Sequence, residues 1–519
     1  MPTFASARAQ RFHAYVERLT AALGHQDRHG PLRAYVTGLC LPGDRKSIEP
    51  MAARVDPRHV RARHQSMHHF VANAAWDDAA VLRVARETVL AALEGHGSVA
   101  AWIVDDTGIP KKGRHSVGVA RQYCGVLGKQ DNCQVAVSFS VAHERASVPA
   151  AYRLYLPEAW AQDRRRRRAA GVPEALEFRT KWQLALEQIT QLVVEGVPAA
   201  PVVADAGYGV VTAFRDALTA HGIAYVVGIS TETTVWAPGR APLPPPKYRG
   251  HGRPPTLVRR TRQHRPLSVR ILAQQLPASA WHTVTWRQGT RGAMRSRFAA
   301  VRVRPAHRDD WQSTPRPEEW LLIEWPRGAA APIKYWLSTL PPTATRADVV
   351  RLAMLRWRIE RDYQELKDEL GLDHFEGRGW RGFHHHASLC IAAYAFLAAE
   401  RLAHFPPESL AFLRPARLPR GFTPRGAGED HRGTQGRIRA RCRAHPPLRR
   451  QQCLAPAQRL GPQSRSQLPT RHPRDAQTAL AQTHLCLPDP QHANAALPAH
   501  RPRRSADPHR RSPRPAPLS

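Results

Sequence analysis

Apolar residues recur at Val81, Leu82, Val84, Val89, Leu90 and Leu93, close to a helical period, behind an acidic start at Asp77 and Asp78. Residues 1–95 read as helical throughout, with breaks at Pro50 and Pro57. The pattern then changes. VAAWIVDD, CQVAVSFSVA and AAYRLYL are short apolar or alternating runs bounded by Gly, Lys and Pro, and they predict three strands. EALEFRTKWQLALEQITQLVVEG predicts a helix that stops at Gly196, and PAAPVVADAGYG a buried strand running into glycine. VVTAFRDALTAHG predicts a helix and IAYVVGIS another strand. The order βββαβαβ predicts an α/β fold, a mixed sheet with helices on both faces.

Residues 230–335 interrupt this order. WAPGRAPLPPPKYRGHGRPP is rich in Pro, Gly and Arg, and strand-like pieces such as RSRFAAVRVRPA and EEWLLIEWP follow. The segment reads as a β-rich insertion with Trp281, Trp286, Trp311 and Trp320, and Trp325 at its exit. The α/β pattern of residues 96–229 resumes over 336–410, where one helix starts near Arg346 and a second covers ASLCIAAYAFLAAERLAHF. Residues 411–519 differ again. No aromatic residue follows Phe422, no lysine follows Lys367 and no glutamate follows Glu429. Such a segment buries too little apolar area to offset its ordering entropy. It reads as a basic, disordered tail or as a shifted reading frame of a GC-rich gene, and the abruptness of the change favours the shifted frame.

Charge narrows the partners. The formal net charge of +35 points to a polyanion, nucleic acid first. The basic stretch RKSIEPMAARVDPRHVRARHQSMHHF then reads either as part of a DNA-binding bundle or as an ordinary helical cap. The N-terminal residues lack an apolar core of signal-peptide length, and the longest apolar run, Ile391 to Ala399, is far short of a membrane span. These features predict a cytoplasmic, nucleoid-associated protein with no membrane contact. The seven cysteines form no Cys-x-x-Cys pair, which argues against a zinc ribbon.

The chemistry-bearing candidates are carboxylates. The stretch RWRIERDYQELKDELGLDHFEGR, from Arg356 to Arg378, predicts a helix with Leu352, Leu355, Ile359, Leu366 and Leu370 on one face. Arg356, Glu360, Tyr363 and Lys367 form a neighbouring stripe, whose ordinary reading is a salt-bridged surface. Arg361 and Glu365 form a separate i,i+4 pair. Two further acids change the picture. Asp106 ends AAWIVDD before TGIPKKG, and Asp205 ends PVVAD before AGYG. Carboxylates at strand ends before glycine-rich turns lie where α/β sheets place ligands. Two of them with a helical Glu suit hard ions such as Mg²⁺ or Mn²⁺, two ions about 3.5–4 Å apart. His384 to His386 diverge by about 100° each on a helix and read as helix start and surface.

Three motifs, DDTGIPKKGRHSVGVARQYCGVLGKQDNCQ, ADAGYG and RWRIERDYQELKDELGLDHFEGRGWRGFHHH, resemble those of DDE transposases of bacterial insertion sequences. The resemblance is to the insertion sequence four superfamily, and within it to the insertion sequence seven-hundred-one branch, over about residues 45–405. It implies a ribonuclease-H-like catalytic domain, with Asp106, Asp205 and Glu360 as the catalytic, metal-binding triad. Asp105 competes with Asp106, which is favoured because Thr107 follows it as in the family. The superfamily signature of Tyr, Arg, Glu and Lys is met by Arg356, Glu360 and Lys367, while Ala353 stands at the Tyr position.

The resemblance further implies DNA contacts from Lys111, Lys112, Arg114, Arg356, Tyr363 and Lys367. For the insertion's tryptophans it implies stacking on an extruded base, against which stands ordinary core packing. It implies metal-dependent cleavage at terminal inverted repeats and strand transfer of 3′-hydroxyl ends into target DNA by a homodimer assembled on DNA. A decayed copy that only binds DNA, or a nuclease without strand transfer, are the rival readings.

Overall fold

The computed structural model describes residues 4–289 and 292–404. The expectations for the tail beyond residue 411 lie outside the described residues.

Five helices come first: α1 (Phe4–Ala22), α2 (His29–Cys40), α3 (Ile48–Val55), α4 (Val60–Ala72) and α5 (Asp78–Glu94). The start of α5 follows from its sequence, because the Asp77 carboxylate accepts the Ala79 N–H at 2.9 Å and satisfies a donor the helix itself cannot. Its inward face is Val81, Leu82, Ala85, Val89 and Leu93.

The sheet begins with β1 (Ala101–Pro110), β2 (Ala120–Cys124), β3 (Lys129–Ala142) and β4 (Ser147–Leu154). Strand β3 runs antiparallel to the whole of β1, from Cys133 on Pro110 to Ala142 on Ala101. Its other edge is shared, β2 pairing with its first half and β4 with its second. Strand β2 is absent from the sequence reading. Then come α6 (Glu158–Gln162), α7 (Arg164–Ala169), α8 (Lys181–Val194), β5 (Val202–Ala204), α9 (Ala206–Gly209), α10 (Thr212–Ala220) and β6 (Tyr225–Ile229). Strands β5 and β6 are parallel to β1. The order β4–β3–β1–β5–β6 is the ribonuclease-H-like mixed sheet that the resemblance implies.

The segment read as an insertion holds β7 (Thr234–Trp236), β8 (Leu267–Ser268), α11 (Val269–Gln275), β9 (His282–Gly289), β10 (Gly292–Pro305) and β11 (Glu319–Trp325), with β12 (Lys334–Ser338) at its exit. Strand β12 lies antiparallel to β6, from Tyr335 on Ile229 to Ser338 on Val226. The inserted strands therefore prolong the catalytic sheet through β12, β11 and β10. Its tryptophans mostly pack locally: Trp281 meets Trp325 edge-on at 5.1 Å and Trp286 meets Phe298 at 5.7 Å. Trp311 is the exposed member of the set.

Three helices complete the described chain: α12 (Arg346–Leu355), α13 (Trp357–Asp368) and α14 (Trp380–His404). The single helix expected from Arg346 onward is divided at Arg356. A Thr345–Asp348 capping box starts α12, with Thr345 N–H on Asp348 Oδ2 at 3.0 Å and Asp348 N–H on Thr345 Oγ1 at 3.2 Å. Helix α13 ends where Gly371 takes φ +66°, a conformation that glycine adopts without strain. Ile359, Leu366 and Leu370 are fully buried beneath it, each contributing about 1.5–3 kcal/mol.

Helix α14 is buried continuously from Gly382 to Phe396, because α2, α4 and α5 cover one side and β4 the other. That corrects the reading of His384, His385 and His386 as surface residues: they are 6%, 2% and 2% exposed. Their ring nitrogens meet buried polar groups. The Leu154 N–H donates to His384, and His386 lies between the Tyr35 hydroxyl at 2.8 Å and the Gly371 carbonyl at 3.0 Å. His385 stacks on Trp76 at 3.6 Å, and both its nitrogens lie 3.0 Å from carbonyls, those of Val71 and Trp76.

Candidate active site

The site is built on β1, the end of β5 and the first turn of α13. Alternation along β1 decides which of its two acids faces which helix. Asp105 stands opposite Ser138 of β3, and the Tyr363 hydroxyl of α13 bonds to that serine. Asp105 therefore faces α13. In the parallel pairing with β5, Val104 lies beside Ala204, so the next pair in register is Asp105 and Asp205. Asp106 points to the other face. There its Oδ2 accepts Lys181 Nζ of α8 at 2.6 Å, and its Oδ1 accepts the Tyr208 hydroxyl of α9 at 2.5 Å.

The expected partner of Asp205 and Glu360 was Asp106; on this geometry it is Asp105 that shares a face with Glu360. The Arg356 guanidinium links the two acids on this face. Nη1 donates to Asp105 Oδ2 at 2.5 Å and Nη2 to Glu360 Oε1 at 2.5 Å. Glu360 itself is exposed, one turn from Arg356 on the helix. Burial pushes the Asp105 carboxyl up to about 7. Arg356 opposes that rise, and the charges of Asp205 and Asp106 add to it. Among the described residues, no group of three His, Cys, Asp or Glu side chains stands close enough to hold a metal ion as a ready-made cage.

Asp205 is set by the turn that follows it. It caps α9, its Oδ1 accepting the Gly207 N–H at 2.9 Å. The glycines of the AGYG turn have a steric reason. A Cβ on Gly209 would lie 1.9 Å from the Gly228 carbonyl oxygen of β6, and one on Gly228 would lie 2.8 Å from the Ala206 nitrogen. Only glycine at both positions lets α9 press onto β6. Tyr208 then reaches across to Asp106, and burial together with that carboxylate raises its hydroxyl well above the usual phenol range.

The residues expected on DNA divide into two groups. Lys112 and Arg114 are exposed in the loop after β1. Lys111, Tyr363 and Lys367 turn inward instead, a correction of their expected placement. Lys111 Nζ donates to the Phe375 carbonyl at 2.9 Å, and Lys367 Nζ to the Gly108 carbonyl of β1 at 2.8 Å. Burial lowers both amines from the usual lysine range. Tyr363 is 6% exposed beneath α13. The two lysines satisfy backbone oxygens, where an open carbonyl would cost about 1–3 kcal/mol. Arg356 is committed to the two carboxylates. Lys181 and Tyr208 were missed by sequence reasoning. Tyr208 lay in view inside ADAGYG, whereas nothing local marks Lys181.

A family model described as DDE superfamily endonuclease matches residues 18–293, a stretch that includes Asp105, Asp106 and Asp205 and stops short of Glu360. A probable transposase for insertion sequence element IS701, from Microchaete diplosiphon, is 34% identical over 145 residues. That alignment covers 28% of this chain and 35% of the relative, so the matched stretch spans about a third of the relative's length.

Proposed function

Because the chain belongs to the DDE superfamily endonucleases, we propose that it is a DNA transposase, cutting the ends of its own insertion sequence and joining the 3′-hydroxyl ends to target DNA. One observation supports this reading: Arg356 ties Asp105 of β1 to Glu360 of α13, and Asp205, just past the end of β5, comes next to Asp105 in the β1–β5 register, beside a strand end of the kind where such folds bind ligands. The likeness over 145 residues to a probable insertion-sequence transposase supports the transposase part of this reading.

The family's chemistry implies divalent metal, and the donor chemistry of these residues suits it, although the three carboxylates do not stand as a ready-made cage. The donors are hard carboxylate oxygens, which suit Mg²⁺ or Mn²⁺. The buried Asp105 carboxyl is crowded by the charges of Asp205 and Asp106, and a cation already stands against it as Arg356. Asp105, Asp205 and Glu360 would hold the metal, two ions in our reading, which when bound would activate the attacking oxygen and stabilise the leaving one. The chain's own groups do the positioning. Arg356 holds Glu360 and Asp105 at a fixed spacing, and the Asp205 cap keeps its carboxylate on the turn. On the opposite face, Lys181 neutralises Asp106 and the Tyr208 hydroxyl donates to it, so that the two adjacent acids do not compete for one site. Lys112 and Arg114 are free to meet phosphate. The proposed partners are the terminal inverted repeats and target DNA, with a homodimer assembled on them.

Among the described residues no helix is long and apolar enough to cross a membrane. We propose that the protein works in the cytoplasm, on the nucleoid.

The test uses the full chain, a duplex carrying the inverted repeat that bounds its gene, and Mg²⁺ or Mn²⁺. The wild type should nick at the repeat and join the 3′ end to a second duplex. Glu360→Gln should lose both steps and keep binding. Wild-type cleavage by Glu360→Gln would remove Glu360 from the site. Cleavage without joining would leave a nuclease.

A further inference from the structure

Between β4 and α8 the chain places two short helices, and α7 reads RRRRRA. Five consecutive arginines need a reason, since like charges at this spacing repel. The fold uses two of them. Arg167 turns inward, donating to the carbonyls of Ala161, Pro173, Glu174 and Leu176 at 3.1, 2.8, 3.0 and 2.7 Å, which ties the following loop to the helix. Arg166 lies 3.8 Å over the Trp160 ring and donates to the Arg114 carbonyl at 3.3 Å. Trp160 is itself buried, its Nε1 on the Val119 carbonyl at 2.7 Å. The platform is therefore fixed to the loop that leaves β1.

The other three, Arg164, Arg165 and Arg168, are exposed. Among the described residues none of them pairs with a carboxylate, whereas Arg179 nearby is paired with both Glu177 and Glu187. The acids in this region are otherwise occupied or apart. Asp163 caps α7, Glu158 accepts from Gln162, Glu376 pairs with Arg45, and Glu174 is exposed on the loop.

The surface continues beyond α7. Lys112 and Arg114 are exposed on the loop whose carbonyl Arg166 holds. Arg378 is exposed on the segment joined to that loop by the Val117 N–H to Arg378 carbonyl bond at 2.9 Å. The Trp380 N–H to Ala170 carbonyl bond, at 2.8 Å, joins the same segment to the end of α7. The result is a band of unneutralised cations on a rigid base. It offers charge and guanidinium forks that suit phosphate oxygens and read no base edge.

We propose that α7 with the 112–114 loop is a phosphate-binding track that grips the DNA duplex at a distance from the cut. The proposal rests on the reading of the chain as a DNA-cleaving enzyme and adds the place where the duplex is held. Strand β1 sets the distance. A rise of about 3.3 Å per residue puts the loop after Pro110 on the order of 20 Å from Asp105. Phosphates of one strand follow every ~3.4 Å along the axis, so a duplex laid along β1 would meet the track about six base pairs from the cleaved bond.

The test compares the wild-type chain with R164Q/R165Q/R168Q on a duplex carrying the element's end, in Ca²⁺, over a range of salt. The glutamine variant should show a shallower dependence of log K on log salt, by up to ~0.9 per lost contact and so about 2–3 units in all. Hydroxyl-radical protection about six base pairs from the cleavage position should disappear with it. The triple lysine variant, which keeps the charge, should retain the wild-type slope. An unchanged slope and footprint in the glutamine variant overturns the track. So does a lysine variant that loses as much as the glutamine one, since the loss then comes from packing. A wild-type chain that binds no duplex at all overturns the functional reading itself, a result distinct from either.

Discussion

Asp105 and Asp106 are adjacent in the chain and face opposite sides of the same strand. Asp105 meets Arg356 and, through it, Glu360 of α13, while Asp106 meets Lys181 of α8 and Tyr208 of α9. The two carboxylates thus have separate work. One belongs to the proposed reaction centre. The other ties the turn after Asp205 to the far face of the sheet and acts as a positioning residue.

The inward turn of Lys367 gives the first prediction. Lys367→Ala removes the donor to the Gly108 carbonyl beneath α13. The variant should be less stable by about 1–3 kcal/mol in urea unfolding. Its DNA affinity should keep the wild-type salt slope, because the amine is spent on the Gly108 carbonyl. A slope shallower by about one unit with unchanged stability would return Lys367 to the DNA surface.

Gly209 tests how tightly α9 is pressed onto β6. Gly209→Ala places a methyl 1.9 Å from the Gly228 carbonyl oxygen, and backbone has nowhere to move without shifting the turn. The expected cost is about 3 kcal/mol or more, with cleavage lost because Asp205 starts that turn. A variant with wild-type melting temperature and cleavage would show that the turn tolerates a wider spacing.

Acid sensitivity follows from the buried histidines. Burial lowers His384 and His386 from 6.5 to about 4. Between those values the unfolded chain takes up protons that the folded chain refuses. The stability they contribute is therefore complete above pH 6.5 and is lost as the pH falls toward 4, on the order of 3 kcal/mol for each. Urea unfolding across this window should show the fall, and His386→Gln should flatten it. An equal slope in the variant would assign the acid sensitivity elsewhere.

Much of this architecture was legible in the sequence. The apolar runs located β1, β3, β4, β5 and β6, and helical spacing located α5, α8, α10 and the buried face of α13. The face of each β1 acid was not legible. Residues 101–104 are buried on both sides of the sheet, so their hydrophobic pattern carries no alternation, and orientation is fixed only by pairing with β3 and β5. Thr107 pointed to Asp106 as the family's acid, while the register puts Asp105 opposite Ser138.

The three histidines misled for a related reason. A polar run reads as surface, yet α14 is enclosed by helices and β4, and each ring finds a polar partner inside. Lys111 and Lys367 carry charge at the end of apolar stems, and their packed stems and bonded amines are set by tertiary contacts that no local pattern encodes. The continuation of the sheet from β6 into β12 was hidden by the sequence distance between them.

The most direct test of the account is the metal-dependent cleavage rate of Asp105→Asn beside that of Asp106→Asn, on one duplex end and at equal folded concentration. The account predicts that Asp105→Asn falls by at least about 10²-fold, the scale of losing a charge that stabilises the transition state. Asp106→Asn should keep cleavage to within about tenfold, while melting earlier because its contacts to Lys181 and Tyr208 are weakened. The reverse result, with Asp106→Asn inactive and Asp105→Asn close to wild type, would contradict the central claim that Asp105 is the first acid of the site.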